Sequence, residues 1–303
     1  MAKASTTLRV GEHDIEVTSP NKLLFPDEKI TKADLVAHYR DVAPFMLPHL
    51  RGRPLTMHCF PSGIAARGYF QKAAQDHFPA FIGRLALPTH SGETVYPVCD
   101  NPESLVFLAA QNCLAFHTCS VRRGSLDRPD FLILDLDPSD DDFGKVRHGA
   151  RLVRDLLPAL GLVPFVKTTG SRGLHIVCPI RPELDCDGVA EFARKIAHYL
   201  VATDPARFTT QINKKARGDR VFVDYLRNGQ AQTAVVPYST RAIPRAPVAV
   251  PITWDELDDP ELDPRRWHLR NIGERLRDVG DPWRDIDRHA RSLVEASEAL
   301  ADL

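Results

Sequence analysis

The sequence predicts a mixed α/β fold, with central β-sheets flanked by helices, on three observations. The run FLILDLD from Phe131 is a compact apolar segment of strand length. Residues 143–160 then repeat their apolar positions at helical spacing, and 163–167 return to a strand pattern, so the middle of the chain reads strand, helix, strand.

The other elements follow in order. Thr31 caps a segment in which Leu35, Tyr39, Val42 and Phe45 recur every three or four residues, which predicts a helix to His49. Residues 54–60 and 94–98 read as short strands. The stretch Thr168 to Gly173 is a turn with two glycines; LHIVCPI after it is a strand and 189–202 a helix. Further strands are expected at 221–226 and 232–238. The proline-rich IPRAPVAVPITW then leads into two terminal helices at 264–279 and 283–300. No internal repeat or low-complexity segment is present.

Composition fits a folded protein: 43% of the 303 residues are hydrophobic and 26% charged, which excludes long disorder and rod-like repeats. A net charge of −1 marks the whole molecule for neither a nucleic acid nor a membrane. Local charge is less even, since Lys214, Lys215, Arg217 and Arg220 cluster, as do Arg51 with Arg53 and Arg241 with Arg245. No apolar run reaches membrane-spanning length and the first twenty residues lack a leader pattern, so a cytoplasmic location without a membrane partner is expected. The six cysteines include no CxxC spacing and are expected to be reduced and mostly buried, with no structural zinc.

The chemistry gathers in the middle third. Strand side chains alternate, so Asp135 and Asp137 project to one face, and two carboxylates that close repel unless a metal or cationic substrate lies between them. A bare Asp-x-Asp also fits a solvated strand end. Asp224 interrupts a second apolar strand, VFVDYL, and three carboxylates from two strands suit a hard cation such as Mg²⁺ or Mn²⁺. The turn Thr169-Gly170-Ser171-Arg172-Gly173 offers backbone N–H groups, two hydroxyls and a guanidinium, the composition of a phosphate cradle, and His175 follows two residues later.

Four motifs in this order and spacing, DLDP at 135–138, GSRGLH at 170–175, VDYLRN at 223–228 and PYSTR at 237–241, resemble the polymerase/primase domain of bacterial DNA ligase D, a member of the archaeo-eukaryotic primase superfamily. The resemblance runs at least from Lys22 to Trp254. It implies a primase-like catalytic fold over 1–303, with DNA 5′-phosphate and template contacts in 1–125, the catalytic core in 126–250 and helices in 251–303. By the same resemblance Asp135, Asp137 and Asp224 are the catalytic, metal-binding triad. His117, Thr169, Ser171, Arg172, His175, Ser239 and Arg241 form the nucleotide-binding set, and Arg217 lies in an active-site loop. Lys22 and Lys32 match lysines that hold a downstream 5′-phosphate, and Tyr69 with Phe70 match aromatic residues that stack on template bases. Taken alone, those four residues read as solvated lysines and core aromatics.

The implied activity is template-directed nucleotide addition to a primer 3′-hydroxyl in short-gap filling. It would use two Mn²⁺ or Mg²⁺ ions and a nucleoside triphosphate, NTP or dNTP, on gapped or broken DNA with a 5′-phosphate. A separate DNA ligase and a Ku-like end-binding protein are the implied partners. The sequence departs from the family pattern at Thr169, where serine is usual, at Gln232, where a lysine is usual, and at His58-Cys59, where basic residues are usual. A non-catalytic DNA-end or gap-binding module is the rival reading, and a small-molecule phosphoesterase a third that leaves Lys22, Lys32, Tyr69 and Phe70 without a use.

Overall fold

The computed structural model describes residues 4–89 and 92–301. The chain divides into two compact units: Met1–Cys119 with Val235–Ala249 and Trp267–Asp281, and Ser120–Ala234 with Val250–Arg266 and Pro282–Leu303. Among the described residues no helix is long and apolar enough to cross a membrane. No disulfide joins any of the six cysteines, and all but Cys186 are buried.

The second unit is built on a six-stranded sheet whose order is Phe208–Thr209, Val221–Asp224, Phe131–Pro138, Leu174–Pro179, Phe165–Thr168, Pro251–Ile252. The expected strand-helix-strand segment is there, as Phe131–Pro138, the helix Phe143–Ala159 and Phe165–Thr168, but Leu174–Pro179 pairs antiparallel between the two strands. Leu132, Leu134 and Leu136 alternate onto the face covered by Phe143–Ala159 and the helix Cys186–Thr203. The opposite face changes character along its length. At one end Ile133 and Val177 pack with Ala234, Trp283 and Ile286; two residues further along Phe131–Pro138, the apolar positions give way to acids.

Several elements depart from the sequence expectation for local reasons. The strand expected at 221–226 stops at Asp224, because the Asp224 side chain accepts the Leu226 N–H (2.9 Å) and turns the chain into a short 3₁₀ segment, Leu226–Asn228. Asn228 then behaves like an extra strand residue, accepting the Ile133 N–H (2.8 Å) and donating to the Ile133 carbonyl (2.7 Å). Of 232–238 only Ala234–Val235 is strand, since Gln232 N–H closes a turn on the Gly229 carbonyl and Tyr238 adopts φ 67°. The helix expected at 264–279 shrinks to Ile272–Asp278, because Trp267 gives its carbonyl to Val248 and His268 bridges Pro247. The helix expected at 283–300 breaks into Ile286–His289 and Leu293–Ala301, where Arg291 pairs with Ile180 and accepts the Arg181 N–H. Sequence reading missed the hairpin Ser5–Val10 with His13–Thr18, whose few buried residues, Val10, Ile15 and Val17, are diluted by charged neighbours.

In the first unit the helix Lys32–Leu50 opens with a capping box between Thr31 and Asp34. Cys113–Thr118, Leu55–Cys59 and Tyr69–Gln71 run side by side in that order. Tyr39, fully buried in the helix, donates to the Leu114 carbonyl at 2.6 Å. Its neighbour His38 lies 3.1 Å from the Tyr238 carbonyl, which only accepts, so Nε2 is the donor.

Burial pushes the His38 pKa down to about 4, whereas in the unfolded chain it titrates near 6.5. Between those values the unfolded state binds more protons, so stability falls as pH drops through about 6.5 to 4, by up to about 3 kcal/mol. Urea unfolding of the wild type and His38→Gln at pH 7 and pH 4 checks this: the stability gap between the two should narrow by roughly that amount. A gap independent of pH contradicts it.

Candidate active site

Register, rather than sequence proximity, assembles the site. Asp135 is the Cα partner of Asp224 on one side and of His175 on the other, and His175 is in turn the partner of Lys167. Cross-strand partners share a face, so Asp224, Asp135, His175 and Lys167 form one rung across four strands. Asp137 sits two residues further along the same face. Apart from Asp137, every member of this set is buried.

Two adjacent buried carboxylates need compensating charge. Arg227, on the 3₁₀ turn after Asp224, supplies it, with Nε 3.2 Å from Asp135 Oδ2 and 3.2 Å from Asp224 Oδ2. On the other side His175 Nε2 lies 3.5 Å from Asp135 Oδ2. Burial opposes ionisation of Asp135, yet His175 and Arg227 outweigh it and hold this carboxyl well below the usual range. Asp137 and Asp224 are both pushed up, by burial first, with the charge of Asp135 adding to it. Burial, reinforced by the nearby Lys167 ammonium, lowers the His175 pKa to about 4, so the ring is neutral near pH 7.

Arg217 lies under Asp137. Its guanidinium stacks on Phe222, the Cα partner of Asp137, at 3.8 Å, and donates to the carbonyls of Gln211 (2.9 Å) and Ile212 (3.0 Å). Nη1 reaches Asp137 Oδ2 at 3.5 Å, and Arg172 approaches the other oxygen at 3.9 Å.

The phosphate-like turn is tied more tightly than its composition suggests. Thr169 Oγ1 accepts the N–H groups of Ser171 (3.2 Å) and Gly173 (3.3 Å) and donates to the Gly173 carbonyl (3.1 Å), so these two N–H groups are not presented outward. What the turn offers is the Ser171 hydroxyl and the Arg172 guanidinium. Both line a cavity of about 300 Å³ with Asp140, Asp141, Phe143 and Arg265.

The remaining predicted residues lie in the first unit. The backbones of Lys22 and Lys32 are joined, with Lys32 N–H donating to the Lys22 carbonyl at 2.8 Å. Lys32 is buried and its ammonium donates to Thr18 Oγ1 (3.3 Å), whereas half-buried Lys22 donates to the Pro61 carbonyl. Phe70, 58% exposed, stacks on His58 with centroids 4.1 Å apart and meets His117 edge-on at 5.6 Å. Tyr69 is also exposed, but strand alternation puts it opposite Cys59 on the other face, so the two aromatic residues do not form one surface. Arg241 lies near enough to His58 to lower its pKa, after burial. Ser239 is fully buried, with Oγ accepting the Phe116 N–H at 2.8 Å; it fixes the PYSTR turn from within.

Sequence reasoning assigned no role at the acids to Arg227 or Lys167. Each carried a signal: Arg227 stands three residues after Asp224, and Lys167 is a lone charge in an otherwise uncharged strand, FVKT, where burial demands a partner. Gln232 is exposed at the turn after Gly229, and Arg227 reaches the same segment through the Thr233 carbonyl (3.5 Å).

Residues 31–283 match the model of the LigD primase-polymerase domain. The multifunctional non-homologous end joining protein LigD of Mycolicibacterium smegmatis is 33% identical over 296 residues, which is 94% of this chain and 39% of that protein. The bifunctional non-homologous end joining protein LigD of Bacillus subtilis is 30% identical, covering 91% of this chain and 44% of its own. The chain thus spans about two fifths of the length of the curated relatives it matches. Among solved structures, the polymerase domain of Mycobacterium tuberculosis ligase D in complex with DNA superposes with a TM-score of 0.86 at 34% identity, over 93% of this chain and 99% of that one.

The tightest point of the site is Gly173, where a Cβ would meet the Leu136 carbonyl oxygen at 2.1 Å. Gly173→Ala must push the turn off the acid-bearing strand, so it should lower stability in urea by about 1–3 kcal/mol. Ser171→Ala beside it should stay within about 0.5 kcal/mol of the wild type.

Proposed function

Because the chain belongs to the LigD primase-polymerase family, we propose that it is a template-directed nucleotidyltransferase that extends a primer 3′-hydroxyl to fill short gaps in DNA repair such as end joining. The observation that carries this reading is the rung that aligns Asp224, Asp135 and His175 across three paired strands, with Asp137 on the same face. A decayed end-binding module would have no use for three aligned carboxylates, two of them buried.

Asp135, Asp137 and Asp224 would hold Mn²⁺ or Mg²⁺. Among the described residues no three His, Cys, Asp or Glu side chains are drawn into a finished metal cluster, and arginines lie against all three carboxylates instead. The donor set still fits: all-oxygen, anionic, from paired strands and turned to one face. A divalent ion bound there supplies charge stabilisation to phosphoryl oxygens and eases deprotonation of the attacking hydroxyl.

The chain's own residues do the rest. Asp135 stays ionised and ready to ligate, because the hydrogen bond from the neutral His175 ring and the charge of Arg227 favour its charged form. Arg172 and the Ser171 hydroxyl, beside the cavity, orient the triphosphate, with Arg241 and His117 as further nucleotide contacts. Thr169 and Arg217 keep the turn and the loop in shape. Lys22 and Lys32 take the 5′-phosphate of the downstream strand, and Phe70 offers a base-stacking face indifferent to sequence. A DNA ligase and a Ku-like end-binding protein are the proposed partners, in the cytoplasm at the nucleoid.

Primer extension on a gapped duplex with a 5′-phosphate, with Mn²⁺ or Mg²⁺ and with NTPs or dNTPs, tests the reading and sets the sugar preference. Asp135→Ala, Asp137→Ala and Asp224→Ala should each lower the extension rate by about a hundredfold or more, since each removes several kcal/mol of transition-state stabilisation. DNA affinity should be largely retained. Any of the three extending at the wild-type rate excludes the assignment.

Removing the 5′-phosphate from the gap should weaken binding by about 1.5–3 kcal/mol, the worth of charge-assisted hydrogen bonds. The Lys22→Ala/Lys32→Ala double variant should bind both duplexes alike. Fluorescence anisotropy at fixed salt reads this, and a wild type indifferent to the phosphate rules out the lysine pocket.

A further inference from the structure

We propose that Arg227 is a resident counter-cation that competes with the divalent ion for Asp135 and Asp224, so that metal binding and release of this guanidinium are one linked event. The inference rests on the metal site of the proposed function and adds a positioning residue to it.

Four observations point this way. Asp135 and Asp224 are direct cross-strand partners, both buried, and like charges in that relation repel. The cation that offsets them belongs to the chain itself, with a single Nε placed 3.2 Å from an oxygen of each carboxylate. One nitrogen shared by two acids forgoes the parallel two-bond fork that makes arginine pairs strong, and among the described residues Nη1 donates only to the Thr233 carbonyl, at 3.5 Å. The clamp is therefore well aligned for charge but weak in geometry.

The anchoring of Arg227 separates backbone from side chain. Asn228, fully buried, bonds both the N–H and the carbonyl of Ile133 and so fixes the 3₁₀ turn to the acid-bearing strand. The Arg227 side chain is 38% exposed and can swing toward solvent without disturbing that anchor. Arg217 shows the contrast: it contacts Asp137 but is buried, stacked on Phe222 and bonded to two carbonyls, and so is built to stay. A cation that holds the acids together and can leave keeps the site formed before metal arrives, and lowers apparent metal affinity by the work of displacing it.

The test is Mn²⁺ binding by isothermal titration calorimetry on the EDTA-treated full chain, wild type, Arg227→Gln and Arg227→Lys. Arg227→Gln should bind Mn²⁺ about tenfold more tightly, which corresponds to about 1.4 kcal/mol. It should also melt at lower temperature without metal and gain more in Tm on adding Mn²⁺ than the wild type does. Arg227→Lys, which restores the charge, should return affinity toward the wild-type value. Equal or weaker Mn²⁺ binding by Arg227→Gln overturns the inference while leaving the metal site intact. No Mn²⁺ binding by any of the three removes the metal site of the proposed function, and the inference with it. The wild type alone gives a readout independent of variant folding: the Arg227 Nε–H resonance should shift and lose exchange protection as Mg²⁺ saturates the protein, and an unchanged resonance also overturns the inference.

Discussion

Two carboxylates on adjacent strands, paired directly and shielded from water, are the constraint on which the site of this protein depends. Neither Asp135 nor Asp224 can move away from the other without breaking the antiparallel register between Phe131–Pro138 and Val221–Asp224. Their repulsion has to be answered on the spot, and the surrounding chain is arranged to do so. Arg227 comes from the turn that Asp224 itself initiates, His175 from the next strand, and Arg217 and Arg172 lie against Asp137. The result is three acids with two charge preferences: Asp135 is held ionised, while Asp137 and Asp224 are pushed toward protonation by burial.

The sheet can carry such a rung because its two faces serve different ends. The leucines of Phe131–Pro138 settle one face against helices, which fixes the register, since a slip by one residue would turn them outward and bring the acids in. On the other face the apolar cluster around Ile133, Val177 and Trp283 ends where the charges begin. Asn228 binds both backbone groups of Ile133 at this boundary, so the turn that carries Arg227 is pinned to the last apolar residue before the acids.

The first unit prepares a different kind of surface. His58, Phe70 and His117 share one face of its sheet, and Arg241 lies near His58. The turn bearing Ser239 and Arg241 begins at Tyr238, which is buried with φ 67°, a conformation that non-glycine residues keep only when their surroundings fix it. Tyr238 donates to Asp281 at 2.7 Å and its N–H is taken by the Ala249 carbonyl, which supplies that fixing. His58 stacks on Phe70, and burial together with Arg241 lowers its pKa, so this face offers aromatic rings.

By itself the sequence determined what depends on near neighbours. Period-two alternation put Asp135 and Asp137 on one side of a strand, spacing from a Thr cap defined the helix after residue 31, and the two-glycine turn before His175 announced itself. It failed where a local pattern was overruled by a distant bond, as in the terminal segments, where Trp267 and Arg291 are drawn into extended pairing with residues far away. Tertiary structure alone decided which charges meet. Alternation tells which face a side chain takes, but not which strand lies beside it or in what register. Only the pairing of 135 with 224 and 175, and the turn that Asp224 starts, brought Arg227 onto two acids and set Lys167 beside His175. Those contacts join residues up to 92 positions apart, and a contact at that range is set by how the whole chain packs.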